Sequence, residues 1–172
     1  FSFIFQSNNL FNSLNGHQNV ILPYLLRGKN KLEALKECND ILNDILSDLN
    51  LSKKEIENIN ISEISGGQKQ RLAFARGIIT KYDVLFADEP TGNLDWYNAR
   101  YIMNKLINRK NTESSVIIVS HDISLATEYA DKIVFIERHE TKIDGNKIFS
   151  YGKINKYGIF EKRNKGWISG DN

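Results

Sequence analysis

Three short stretches of the sequence combine residue types and positions that suit chemistry. Asp88 and Glu89 are adjacent carboxylates closing the apolar run Val84-Leu85-Phe86-Ala87. Ionising both in such a setting costs desolvation and mutual repulsion unless solvent or a cation relieves them. They read either as two surface acids at a strand exit, or as an Asp in a Mg2+ shell beside a Glu that polarises an attacking water. His121 follows another apolar run, "VIIVS". It is either a rim histidine held by a backbone hydrogen bond or a partner to a phosphate oxygen and the attacking water. Ser65-Gly66-Gly67-Gln68 opens a helical run. Adjacent glycines weaken a helix start, yet the unpaired N–H groups there attract anions, and glycine lets a phosphate approach the backbone. The Ser65 hydroxyl can cap the helix or donate to such an anion. Gln6, at the end of "FSFIFQ", carries little signal alone.

These residues need elements to position them. "FSFIFQ" (1–6) reads as a short buried strand, 7–19 as an Asn/Ser-rich loop, and "VILPYLLRG" (20–28) as an apolar patch carrying Pro23. Apolar residues from Leu32 to Leu49 fall at helical spacing over 31–49. Ser52 with Glu55 predicts a capped short helix over 52–59. A helix follows from about Gly67 to Thr80, then a strand over 83–90, a helix over 94–110, a buried strand over 115–122, a helix over 123–130 and a strand over 131–137. Apolar strands alternating with helices predict an α/β fold whose parallel sheet is covered on both faces, with ligands at the carboxyl ends of the strands. Gln6, Asp88, Glu89 and His121 all fall at such ends.

Composition sets the outer bounds. The 172 residues suffice for one domain with a core, and 41% hydrophobic with 26% charged residues is ordinary for a globular protein. A net charge of +2 makes no electrostatic case for nucleic acid or an anionic membrane. Cys38 is the single cysteine, so no internal disulfide framework exists, and its place among apolar residues predicts a buried filler. No stretch approaches the apolar length of a membrane span. The chain starts at Phe1 and its one methionine is Met103, which reads as a piece of something longer.

Taken together and in order, the motifs resemble the ATP-binding domain of ABC transporters. "FIFQ" (3–6) resembles the Q-loop, "ISGGQKQR" (64–71) the family signature, "VLFADEP" (84–90) the Walker B strand, "GNLD" (92–95) the D-loop and "IVSHD" (118–122) the switch histidine. The resemblance covers residues 1–137, with a helical subdomain over about 20–80. It leaves 138–172 as a C-terminal extension, where the Asp-Gly pair in "KIDGNKI" predicts small antiparallel strands. "ADEPTGNLD" with "FIFQ" and "NVILPYL" is most similar to the lipoprotein-release, macrolide-export and cell-division-type branch. The fold so implied is a P-loop NTPase-like parallel sheet core with a helical signature subdomain and a small β-rich extension.

The resemblance also implies roles. The complete protein would bind ATP and Mg2+ and hydrolyse ATP as the energising subunit of a transporter, cytoplasmic and peripheral on the cytoplasmic face of the cell membrane. Glu89 would be the general base and His121 would contact the γ-phosphate. Gln6 would touch Mg2+ and the water, and Asp88 would hold Mg2+ through water. Ser65, Gly66 and Gly67, supported by Gln68, would face the ATP of a second ATP-binding subunit in a head-to-tail dimer, with Asp95 crossing the interface. A transmembrane permease subunit would contact residues 7–28, and no nucleic acid is expected. Arg71 would pack or pair locally.

One departure stands out. No G-x-x-x-x-G-K-S/T occurs in the sequence, and "RGKNKL" (27–32) has neither its leading glycine nor its Ser or Thr. That loop supplies the backbone cradle and the lysine for the β- and γ-phosphates. The chain alone is therefore expected to be inactive. Two other readings stay open: a non-transport ABC ATPase of the cell-division type, and a non-catalytic ABC-like interaction protein.

Overall fold

The structure, a computed structural model, describes residues 1–36, 39, 43, 53–92, 94–109, 113–143, 147–164 and 166–169. In chain order its elements are β1 (Ser2–Ile4), α1 (Gly16–Leu26), α2 (Lys53–Asn58), α3 (Gly66–Ile78), β2 (Val84–Asp88), α4 (Trp96–Arg109), β3 (Ser115–Val119), α5 (Ile123–Tyr129), β4 (Lys132–Ile143), β5 (Lys147–Arg163) and β6 (Gly166–Ser169). Residues 31–36 are also helical. Cys38, Ser52 and most of 37–52 lie outside the described residues. The chain forms two compact units, Phe1–His121 and Asp122–Asn172.

The first unit holds the parallel sheet, with strand order β1-β2-β3. Alternation sorts its residues. Ile4, Leu85 and Ala87 are buried on one face, where Gly77 of α3 comes so close that an added Cβ would collide with Ile4 Cγ1. Val20, Ile21 and Tyr24 of α1, Leu72, Phe74 and Ile78 of α3, and Ile102 and Leu106 of α4 complete an apolar core. The opposite face is largely exposed among the described residues of this unit. Phe3 is 50% exposed, Ile117 49% and Val119 57%; the Phe3 ring stacks on Phe5 and Phe86, and the Phe1 ring lies tilted against Phe86. Coverage on both faces, and burial of the first and third strands, were expected from their apolar runs. The runs set the strand type, but burial needs a second layer that these residues do not supply.

Residues 16–19, expected as loop, and the apolar patch after them form one helix. Asn15 caps α1, accepting from Gln18 N–H while the Gln18 side chain accepts from Asn15 N–H, and Pro23 lies inside the helix. The pattern Asn-x-x-Gln was readable as a capping box.

The second unit is different. The strand expected at 131–137 runs on to Ile143, and it pairs antiparallel with β5 instead of joining the parallel sheet. β5 also pairs antiparallel with β6, through Phe160–Arg163. Asp144 and Gly145 of the expected hairpin turn lie outside the described residues. Leu125 is the one hydrophobic residue of this unit that is buried among those described.

Candidate active site

Parallel pairing brings the chemistry-bearing residues to one rim. Asp88 pairs with Val119, so the next residues, Glu89 and Ser120-His121, leave the sheet side by side. Glu89 N–H continues the ladder by donating to Val119 O at 2.9 Å. The Glu89 carboxylate Oε1 accepts from His121 N–H at 3.1 Å and lies 2.9 Å from His121 Nδ1. With the carboxylate ionised, Nδ1 is the protonated nitrogen and donates. The pair is asymmetric: the Glu89 side chain is 15% exposed and that of His121 81%.

Two features set Glu89 apart from a surface acid. Its backbone is left-handed, with φ of 45°, which is rare for a non-glycine residue and costs about 1–3 kcal/mol. The conformation is held by the bond to Val119, by Gly92 N–H donating to Glu89 O at 3.1 Å, and by the two contacts to His121. Its second oxygen, Oε2, is buried with no hydrogen-bond partner. A buried, vacant carboxylate acceptor next to a histidine suits abstraction of a proton from a bound water. The surface-acid alternative explains neither feature.

Asp88 ends β2 with its side chain exposed, and Gln6 is exposed two residues beyond β1. Among the described residues no group of three or more His, Cys, Asp or Glu side chains is placed to hold a metal. Mg2+ bound through one or two carboxylates plus phosphate oxygens needs no such group, and Asp88 offers the hard oxygen it prefers.

Ser65 caps α3. Its hydroxyl accepts from Gln68 N–H at 3.2 Å, and Gln68 Oε1 accepts from Ser65 N–H at 2.9 Å. So Ser65 and Gln68 are engaged with each other, and both glycines between them are exposed. A Cβ on Gly66 or Gly67 would meet nothing within 4 Å, and neither has a positive φ. Among the described residues, nothing requires glycine at either place.

Side chains of α3 reach the other loops. Gln70 donates to Pro90 O at 3.0 Å, directly after Glu89. Arg71, expected to pack or pair locally, donates to Asn98 Oδ1 at 2.7 Å, 27 residues away. Asn98 in turn donates through its backbone and its side chain to the Asp95 carboxylate. The backbone bond from Asn98 is the main cause holding the Asp95 carboxyl below the usual carboxylate range. Asp95 also accepts Ala99 N–H at its carbonyl and thus caps α4 while standing exposed.

A parallel α/β sheet with a carboxylate and a histidine at adjacent strand ends, and a glycine turn opening a helix that reaches them, fits the class of proteins built on the P-loop NTPase fold. The ABC transporter sequence pattern matches residues 1–92. The chain is 41% identical over 127 residues to the lipoprotein-releasing system ATP-binding protein LolD of Rickettsia prowazekii, covering 72% of this chain and 54% of that protein. It is 35% identical over 144 residues to the macrolide export ATP-binding/permease protein MacB 2 of Yersinia pestis, covering 84% of this chain and 20% of that one. Among solved structures, the dimeric bacterial ABC transporter cassette MJ0796 superimposes with a TM-score of 0.65 at 30% identity, over 77% of this chain and 56% of that one. The chain belongs to the ABC transporter family. It spans about half the length of the LolD relative.

Proposed function

We propose that these residues are part of the ATP-hydrolysing subunit of a transporter of the lipoprotein-release or macrolide-export type. The observation that carries the reading is the Glu89–His121 pair, with its strained backbone and vacant buried oxygen. Glu89 accepts the proton of the attacking water, and His121 holds the Glu89 carboxylate on one side while its exposed ring faces the γ-phosphate. Asp88, through water, and Gln6 would hold Mg2+, which would neutralise the phosphate charge. Ser65, Gly66, Gly67 and Gln68 complete the ATP site of a second subunit in a head-to-tail dimer, and Asp95 crosses that interface. The open space over both glycines supports this role. No described helix is long and apolar enough to cross a membrane. The subunit sits on the cytoplasmic face of the membrane, with a permease against residues 7–28.

The phosphate loop comes from sequence outside these 172 residues, and the bare aromatic face of the parallel sheet is where further structure packs. The 172 residues alone do not hydrolyse ATP. The test compares ATP hydrolysis by the full-length protein, its Glu89→Gln variant and the 172-residue chain. Activity in the first only is expected. Activity in the 172-residue chain that Glu89→Gln removes would overturn the account, and no activity in the full-length protein would favour a non-catalytic role.

A further inference from the structure

The end of α3 is fastened to the loop that follows Gln6. Arg76 Nη1 donates to Asn9 O at 2.7 Å and Nη2 to Asn8 O at 2.9 Å, bonds that span 67 and 68 residues of sequence. Two consecutive carbonyls can converge on one guanidinium because Asn9 is left-handed, with φ of 45°, a conformation asparagine tolerates. The guanidinium is partly buried, and desolvation pulls its pKa down. A planar fork of donors matches this pair of acceptors in a way an ammonium cannot.

The neighbouring residue tightens the joint. Gly77 lets α3 approach Ile4, and the Ser2 hydroxyl donates to Gly77 O. At its far end the same loop is held by Asn19, which is fully buried and bonds both the N–H and the C=O of Phe11. At that anchor the backbone of Phe11 is held while the residue as a whole stands 52% exposed. The opposite end of α3, about 15 Å away along the helix, is the Ser65–Gln68 turn.

We propose that Arg76 is a positioning residue that ties the loop after Gln6 to the glycine turn, so that displacing the loop displaces the turn through α3 as a rigid lever. This deepens the cassette reading and rests on it. The loop is the segment assigned to the permease and the turn the segment assigned to the partner's ATP. One guanidinium therefore joins the mechanical input to the phosphate contact.

The test uses the full-length protein with Arg76→Met and Arg76→Lys, reading kcat, the KM for ATP, and amide hydrogen exchange at both ends of the lever. Arg76→Met is expected to lower kcat about tenfold with KM within about twofold. Exchange should speed up at Phe11 and Leu14, and also at Gln68 and Lys69, whose amides are bonded to Ser65. Arg76→Lys, which keeps the charge and loses the fork, should recover part of the lost kcat. Faster exchange at Phe11 and Leu14 alone, with kcat unchanged, makes Arg76 a local anchor and overturns the proposal. If Arg76→Met does not fold, Arg76→Lys decides: wild-type kcat and wild-type exchange at Gln68 overturn it. If the full-length protein hydrolyses no ATP, the cassette reading fails separately, and the spread of exchange from one end to the other still decides the lever.

Discussion

Helices α1 and α3 start with the same chemistry and use glycine for opposite reasons. Asn15-Gly16-His17-Gln18 opens one and Ser65-Gly66-Gly67-Gln68 the other, each closed by a reciprocal capping box. At Gly16 an added Cβ would lie 2.9 Å from Ile56 Cγ1 and 3.2 Å from Ile56 O, so packing against α2 accounts for the glycine. At Gly66 and Gly67 it would meet nothing within 4 Å. At a helix start whose first N–H groups have no partner within the helix, glycines with open space over them leave room for a ligand from outside. The same motif is thus packed in one place and open in the other.

The largest expected effect lies at Glu89, the proposed general base. Glu89→Gln should lower kcat of the full-length protein by about 10²–10⁴-fold, the range for a lost general base, with folding intact in a thermal melt. A loss under tenfold would separate Glu89 from the chemistry and remove the need for an external ligand at the turn. Next, Gly67→Ala should cut ATP turnover at least about tenfold while leaving stability unchanged or raised by about 0.4–1 kcal/mol, since the φ there suits alanine. Chemical denaturation paired with ATPase assays reads both.

Gly16→Ala should behave in the reverse way. Overpacking against Ile56 should cost about 1–3 kcal/mol, and kcat per folded molecule should stay at the wild-type value. If both glycine variants lose stability alike, the contrast between the two helix starts is broken. Smaller still, Asn15→Ala should cost about 1 kcal/mol by removing the cap of α1. The smallest effect concerns Asp95. Its carboxyl titrates below the ordinary value in the folded chain, so its contribution is present above the unfolded pKa and is lost as pH falls through the folded one. Asn98→Ala should move the Asp95 pKa upward in a carbonyl-detected NMR titration. An unmoved value would mean that the Asn98 side chain adds nothing to the hold of its backbone N–H on Asp95.

Sequence patterns reached as far as local order and apolar periodicity carry. Asp88, Glu89 and His121 were legible because each closes an apolar run, and parallel pairing then sets Glu89 beside His121. The α3 turn was legible because capping chemistry is local. The contacts that give these residues their precision were not. Arg71 to Asn98, Gln70 to Pro90 and Arg76 to Asn8 and Asn9 join residues 20 to 68 positions apart, and no local rule pairs them. Nor does any pattern show that Glu89 is left-handed, because that conformation is imposed by Val119, Gly92 and His121 together. Apolar runs also could not tell one covered face from two: Ile4 and Phe3 are neighbours of similar hydrophobicity, one 5% and the other 50% exposed. The run at 131–137 has the composition of a parallel strand, and its partner, β5, lies in the stretch that resembles nothing in the motif series.

The central claim is that Gly66 and Gly67 face a phosphate brought by another copy of the protein. It is tested most directly by sedimentation velocity on full-length Glu89→Gln protein, with and without ATP and Mg2+, beside the same protein carrying Gly67→Ala. The account predicts that ATP drives the first into dimers and leaves the second monomeric. An ATP-driven dimer that Gly67→Ala leaves unchanged would contradict it.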